Sequence, residues 1–523
     1  MITLLLLLLF TSSSTSLITL QPSTPISPTT ACNTTLDPKF CKSLLPPNTS
    51  SNLFDYTRFS IAKSLSNAYT FLNTLNSYLS NPSTTLSQPS IRALQDCKLL
   101  SELNIDYLLS SSSTCNSTTN LLDPQTDQVQ TLLSALLANL QTCLDGLQET
   151  STVLPLISQP LSNGSTKLYS LSLALFSHTW SPKKKVINSI KGRRLLQDLN
   201  SVVIKEKVVV NKDGSGDFVT ISDAIASAPN NSKASDGYFL IQVGEGLYEE
   251  YVSIAKNKKY VMMVGQGINK TIITGNHSVV DGWTTFNSAT FAVVGEGFVG
   301  VNMTIRNTAG AIKHQAVALR SGADLSAFYH CSFEGYQDTL YTHSLRQFYK
   351  QCDIYGTVDY IFGNAAVVIQ DCNIYSRLPM QNQKNTVTAQ GRTDPNQNTG
   401  TSIQNSSFLA TPDLIAFNNG STSIRSFLGR PWKEYSRTVI MESFIDSLID
   451  PQGWLPWDGD FALNTSYYAE FDNRGPGADT SGRVTWKGFH VINSTDAANF
   501  TVSNFILGDN WLPSTGVPYK AGL

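Results

Sequence analysis

His330-Cys331-Ser332-Phe333-Glu334-Gly335-Tyr336-Gln337-Asp338-Thr339-Leu340-Tyr341 is answered, twenty-one residues on, by Gln351-Cys352-Asp353-Ile354-Tyr355-Gly356-Thr357-Val358-Asp359-Tyr360-Ile361-Phe362. A third copy opens at Asp371-Cys372 and again leads into a short apolar strand pattern. Strands recurring about every twenty residues without helices between them predict stacked parallel rungs, a parallel β-helix rather than a sandwich. Asp338 and Asp359 each lie seven residues after their cysteine. Stacking therefore puts them on adjacent strands, about 4.8 Å apart in backbone. Two carboxylates that close cannot both ionise cheaply, so one holds a proton near neutral pH while the other stays charged. An acid beside a nucleophile or base is the chemistry of a hydrolase.

The same texture of short Val, Ile, Phe and Tyr strands with Gly, Asn and Asp turns runs over residues 201–523. Ahead of it, residues 26–178 are nearly free of Gly and carry apolar residues at helical spacing, as in Thr131-Leu132-Leu133-Ser134-Ala135-Leu136-Leu137-Ala138-Asn139-Leu140. Breaks at Pro82, Pro89, Pro124 and Pro155 predict four or five helices in an up-and-down bundle. The fold class is thus an N-terminal all-α four-helix bundle followed by a C-terminal all-β right-handed parallel β-helix. Between them, residues 179–200 form a basic linker with Lys183-Lys184-Lys185 and Arg193-Arg194-Leu195-Leu196. An exposed Arg pair between two domains is an accessible target for a processing protease.

Residues 1–20 contain an apolar run from Leu4 to Phe10 followed by Ser and Thr. That run is too short to span a bilayer comfortably and reads as a cleaved secretory signal, with no membrane segment in the mature form, although the absence of Lys, Arg and an A-x-A site leaves an uncleaved anchor as the alternative. Secretion agrees with candidate glycosylation sequons at Asn33, Asn48, Asn116, Asn163, Asn230, Asn269, Asn276, Asn302, Asn405, Asn419, Asn464, Asn493 and Asn499. The eight cysteines show no C-x-x-C or His/Cys cluster, so disulfides are expected and a metal is not. In a stacked coil Cys352 can bridge Cys372, or Cys331 can equally bridge Cys352. Residues 1–197 carry 13 Lys and Arg against 9 Asp and Glu, while the remainder holds 24 against 30. This mild imbalance favours docking of the two parts and gives no support to nucleic-acid binding.

The serine-hydrolase elbow G-x-S-x-G does not occur, and Asp213-Gly214-Ser215-Gly216-Asp217 lacks the G-K-[ST] of a phosphate loop. An Asp pair on neighbouring rungs is often only structural. Gln337, Gln315 one rung earlier, and the aromatic Tyr336, Tyr341, Tyr360 and Phe362 move the balance, because two amide donors beside an acid and a carboxylate suit acyl transfer. The rivals are a β-helix glycosidase or lyase, which also uses paired carboxylates, and a binding or inhibitor module whose activity resides in the helical segment.

Five ordered blocks, Gly246-Leu247-Tyr248-Glu249-Glu250, Gln315-Ala316-Val317-Ala318-Leu319, Tyr336 to Tyr341, Gly356 to Asn364 and Leu428-Gly429-Arg430-Pro431-Trp432, closely resemble the plant pectin methylesterases. The N-terminal part, with Ala93-Leu94-Gln95-Asp96-Cys97 and Thr142-Cys143-Leu144-Asp145-Gly146, resembles the pectin methylesterase inhibitor domain, and Arg193-Arg194-Leu195-Leu196 stands at the family's processing motif. The resemblance implies a secreted, cell-wall enzyme that needs no cofactor and removes methanol from methyl-esterified homogalacturonan, with a pro-region or a separate inhibitor protein controlling it. It implies Asp359 as nucleophile, Asp338 as proton donor and then base, Gln337 and Gln315 as oxyanion stabilisers, and Thr285, Gln315, Arg430 and Trp432 as substrate contacts. It also implies the disulfides Cys32–Cys41, Cys97–Cys143 and Cys352–Cys372. Tyr360, where Phe is commoner, adds a hydroxyl expected near the site, and Ala311 stands where Pro is usual.

Overall fold

The computed structural model describes residues 22–47, 50–80, 86–150, 164–180, 194–195, 202–420 and 423–523. The expected signal segment, Asn48, Asn163, Arg193 and Leu196 lie outside these residues.

The helical part opens with two short helices, α1 (Pro28–Cys32) and α2 (Pro38–Leu44), each with Pro in its first turn and a capping side chain, Ser27 and Asp37. Cys32–Cys41 ties them together. Four longer helices follow: α3 (Leu53–Ser80), α4 (Gln88–Ser117), α5 (Asp123–Thr150) and α6 (Thr166–Thr179). Cys97–Cys143 joins α4 to α5. Helix α5 places Val129, Leu133, Leu136, Leu140, Cys143 and Leu147 inside the bundle core at spacings of three and four. Its Leu132 and Ala135 point elsewhere, against Leu345 of the β domain. Every residue from Thr131 to Leu140 is consequently buried.

In the β domain each winding adds one strand to each of three parallel sheets, of eight, seven and eleven strands. The repeat read from the cysteines is the winding itself. Ser332 pairs with Asp353 and Asp353 with Asn373, and Leu340 pairs with Ile361. One corner is made in the same way on successive rungs: Asn302, His330, Gln351, Asp371, Asn405, Glu442 and Asp472 all have left-handed backbone, φ from 47° to 56°. Each of these residues precedes an inward-pointing one or a turn polar group, so the corner turns without a glycine at the cost of local strain. Phe291, Phe298, Phe328 and Tyr349 stack through the interior with centroid separations of 5.7, 5.5 and 4.9 Å.

Cys331, Cys352 and Cys372 form a buried column of free thiols, which corrects the expected Cys352–Cys372 bridge. Each sulfur turns to main-chain carbonyls, Cys331 to Gly300, Cys352 to Lys350 and Cys372 to Gln370, at 3.5, 3.4 and 3.4 Å. The middle thiol has a cysteine on either side, and the stacking singles out neither as its partner. Cys115 is also free and buried. Of the described sequons, Asn302 and Asn499 are half-buried and the others exposed. Arg194–Leu195 of the linker pairs antiparallel with Tyr519–Lys520.

Gly363 has φ +130°, and a Cβ there would meet the Thr342 carbonyl oxygen at 2.0 Å. Gly363→Ala is therefore expected to destabilise the β domain by about 1–3 kcal/mol, read as a lower denaturation midpoint.

Candidate active site

The seven-stranded sheet runs Ser426–Gly429, Asn385–Gln390, Ile361–Gly363, Leu340–Thr342, Leu319–Ser321, Phe291–Val293 and Val252–Ile254. Asp338 and Asp359 stand two residues before the paired Leu340 and Ile361, so the strand register itself aligns them. The Asp338 amide donates to the Val358 carbonyl at 3.0 Å. Both aspartates have left-handed backbone, φ 62° and 52°, which Asp tolerates better than most side chains. Both are buried, 8% and 5% exposed.

Their surroundings differ. Arg430 donates to Asp359 through Nε (2.8 Å, to Oδ1) and Nη2 (2.6 Å, to Oδ2), a bidentate fork. Thr386 adds a hydroxyl donated to Asp359 Oδ1 at 2.6 Å while its Oγ1 accepts the Asp359 amide at 2.9 Å. Among the described residues no donor cradles the Asp338 carboxyl in this way. Burial first, then the charges of Asp359 and Glu149, push its carboxyl well above the usual range, and Arg430 only partly offsets them. The pair thus comprises one carboxyl raised by burial and one gripped by donors.

Gln315 and Gln337 form a parallel bridge on the neighbouring rungs and line one cavity with both aspartates, Arg430 and Trp432. The cavity measures about 290 Å³ and its apolar walls include Phe286, Tyr341 and Phe362. Thr285 also lines it, and its buried hydroxyl has no hydrogen-bond partner among the described residues. Phe362 stacks on Tyr341 at 4.1 Å and meets Trp432 edge-on at 5.9 Å. Trp432 lies over Gly391, where a Cβ would come within 2.8 Å of the indole. Beyond Arg430 and Trp457 the cleft continues into an open groove of about 510 Å³ that also carries His314 and Lys384.

Two of the aromatic residues picked out in the sequence lie elsewhere. Tyr360 points into the coil, where its hydroxyl meets Ser376 at 3.1 Å, so it adds nothing to the site. The Tyr336 hydroxyl accepts from Arg377 at 2.8 Å. The sequence reading missed Thr386, Trp457 and the contribution of α5. A Thr at the matching strand position one rung past Asp359 was a signal only once the register was known.

The last turns of α5 form the cavity's remaining wall: Thr142, Asp145, Gly146 and Glu149. Thr142 Oγ1 lies 3.2 Å from the Tyr341 hydroxyl and 3.0 Å from His343 Nε2. Lys433 donates to Asp145 at 3.0 Å. Glu149 is lifted to about 7 by burial and then by Asp145, against the pull of Lys433. Asp96 of α4 accepts the Thr284 hydroxyl at 2.5 Å and is also raised by burial to about 7. Arg92 lies 3.7 Å over the Trp283 ring and donates to the Gly282 carbonyl at 2.6 Å. Further along, Arg346 binds Asp127 at 2.9 Å, and Gln397 Nε2 and Asn398 Nδ2 donate to the Ser134 carbonyl and the Thr131 hydroxyl, each at 2.8 Å. Among the described residues no group of His, Cys, Asp and Glu is arranged to hold a metal.

Residues 207–509 match the pectinesterase family model, and residues 27–175 match the plant invertase/pectin methylesterase inhibitor model. The chain is 53% identical to probable pectinesterase/pectinesterase inhibitor 41 of Arabidopsis thaliana over 95% of each chain. It is 50% identical to pectinesterase 2 of Citrus sinensis over 82% of each. Among solved structures it is similar to the pectin methylesterase from carrot, with 58% identity, a TM-score of 0.59, and coverage of 60% of this chain and 98% of that one.

Because the charge of Asp359 is, after burial, the largest influence holding up Asp338, Asp359→Asn is expected to lower the Asp338 titration midpoint, followed by carbon NMR of labelled Asp carboxyls. An unmoved midpoint would remove Asp359 as a cause and leave burial and Glu149.

Proposed function

The chain belongs to the pectinesterase family and carries a pectin methylesterase inhibitor-type domain ahead of its β-helix, and from this we propose that it demethylates homogalacturonan by an Asp359 nucleophile and an Asp338 acid–base. Asp359 Oδ attacks the C6 carbonyl of a methyl-esterified galacturonate unit. The amides of Gln337 and Gln315 donate to the oxyanion of the tetrahedral intermediate. As the intermediate collapses, Asp338 gives its proton to the departing methoxide, releasing methanol and leaving an acyl–aspartyl anhydride. Asp338, now the base, takes a proton from water, whose oxygen attacks the acyl carbon. Asp359 leaves as carboxylate and the product carries a free acid.

The observation that carries this reading is the contrast within the pair: Asp338 sits raised with no side-chain donor among the described residues, while Asp359 is held by the Arg430 fork and Thr386. Two adjacent glutamines on the same cavity favour acyl transfer over glycosidic cleavage, which has no need of them. Trp432 and Trp457 offer faces for sugar rings. The substrate places the enzyme in the cell wall, reached by secretion.

The helical domain acts as an autoinhibitory pro-region. The end of α5 fills part of the cavity that a pectin chain must enter, and Thr142 engages Tyr341 and His343. Cleavage by a protease at Arg194 would free the cleft. Docking also takes up protons, since Glu149 and Asp96 are raised in the docked state. For an acid whose docked pKa is raised, the favourable contribution is whole below its ordinary range and is lost as pH rises towards about 7.

Residues 201–523 are expected to release methanol from highly methylated pectin without shortening the chains, and the intact chain to release much less. Asp359→Ala should leave activity below about a hundredth of wild type with folding retained; a larger residue of activity would remove Asp359 as nucleophile. The intact chain should regain activity, relative to residues 201–523, as pH rises from about 5 to about 8. Glu149→Gln, which copies the protonated state, should flatten that rise.

A further inference from the structure

The proposed chemistry gives no task to Lys433, whose side chain lies beside the cavity-lining Trp432 and Asp145. Lys433 follows Trp432, and its ammonium lies 3.0 Å from Asp145 on α5, with the hydrogen bond going to Oδ1. The two side chains are only about one-fifth exposed, 19% and 20%. The ammonium also lies 4.8 Å from the centre of the Trp432 ring. Within its own domain Lys433 engages Ser436 through main-chain atoms alone, its amide at 3.2 Å and its carbonyl at 2.7 Å. Among the described residues Asp145 is its ion-pair partner, and that partner belongs to the domain that must leave before substrate enters.

Withdrawal of α5 removes the ion-pair partner of an ammonium that lies beside the ring of the cavity-lining Trp432. A polygalacturonate chain offers either a neutral methyl ester or a free carboxylate on each ring. Only the carboxylate restores the charge pair that Asp145 makes. Trp432 provides the stacking surface that would hold the ring bearing that carboxylate. Asp145 thereby stands in for a galacturonate carboxylate.

We propose that Lys433 is a specificity-determining residue that binds the free carboxylate of a galacturonate unit neighbouring the ester under attack. The assignment rests on the esterase reading above. It separates two classes of substrate, fully methylated chains and chains already carrying free acids, and favours the second.

The test uses residues 201–523, a unit that corresponds to 98% of the carrot enzyme's chain and so stands as a domain on its own. Methanol release is measured on fully methylated and on half-de-esterified galacturonate oligomers of equal length, for wild type, Lys433→Met and Lys433→Arg. Wild type is expected to prefer the half-de-esterified oligomer, and Lys433→Met to reduce that preference about tenfold through KM. Lys433→Arg should keep most of the preference, and salt should erode it. Fully de-esterified oligomer, added as a competitor, should inhibit Lys433→Met about tenfold less well than wild type. Equal preference and equal competition in wild type and Lys433→Met would overturn the role of Lys433 while leaving the esterase intact. A wild-type domain that releases no methanol from either oligomer would overturn the esterase reading, and the role of Lys433 with it.

Discussion

Parallel stacking in register is the constraint on which everything else in the β domain depends. Leu340 opposite Ile361 sets Asp338 beside Asp359, and the same ladder brings Gln315 to Gln337. Side chains alternate faces with a period of two, so a slip of one residue would turn the aspartates inward and the core residues outward. Interior columns oppose such a slip. Phe328 lies parallel to Tyr349, and Cys331, Cys352 and Cys372 stack with their sulfurs turned to rung carbonyls. The repeated left-handed corner makes each winding end in the same place. The precision of the site is therefore inherited from a hydrophobic column that contains no catalytic atom.

Given that register, electrostatics differentiates two chemically identical side chains. Asp359 receives the Arg430 fork and a threonine hydroxyl, whereas Asp338 receives burial and negative neighbours. The difference arises from strands far apart in sequence: Thr386 comes from the next rung and Arg430 from the one after. Left-handed backbone at both aspartates adds local strain, which the ladders on either side sustain.

The helical domain is bound to the same region through α5, which is apolar on more than one face. Leu133, Leu136 and Leu140 serve the bundle, while Leu132 and Ala135 meet Leu345. A helix buried all round needs a second partner, and the β domain is that partner. The polar groups at its end, Thr142, Asp145 and Glu149, then reach the cleft. The charge difference between the two parts agrees with this docking in sign, but named contacts such as Arg346–Asp127 carry it. Burial raises two carboxyls at this contact, Glu149 and Asp96, each to about 7.

The cysteine-marked period, the Asp spacing and the helical spacing of residues 26–178 were enough, by themselves, to determine two domains, a stacked coil and an aligned carboxylate pair, because these follow from local periodicity. Gln315 and Gln337 were legible for the same reason. Local pattern did not reach Thr386 or Trp457, which matter only through rung geometry, and it misplaced Tyr360, whose hydroxyl finds Ser376 inside the coil. The Cys352–Cys372 bridge implied by resemblance gave way to three free thiols in one column. Tertiary structure alone decided that α5 walls the cavity and that Lys433 meets Asp145, since both require two domains to meet, the ion pair across 288 residues of chain. Periodicity is a property of neighbours along the chain, whereas a shared cavity is a property of surfaces, and only folding brings those together.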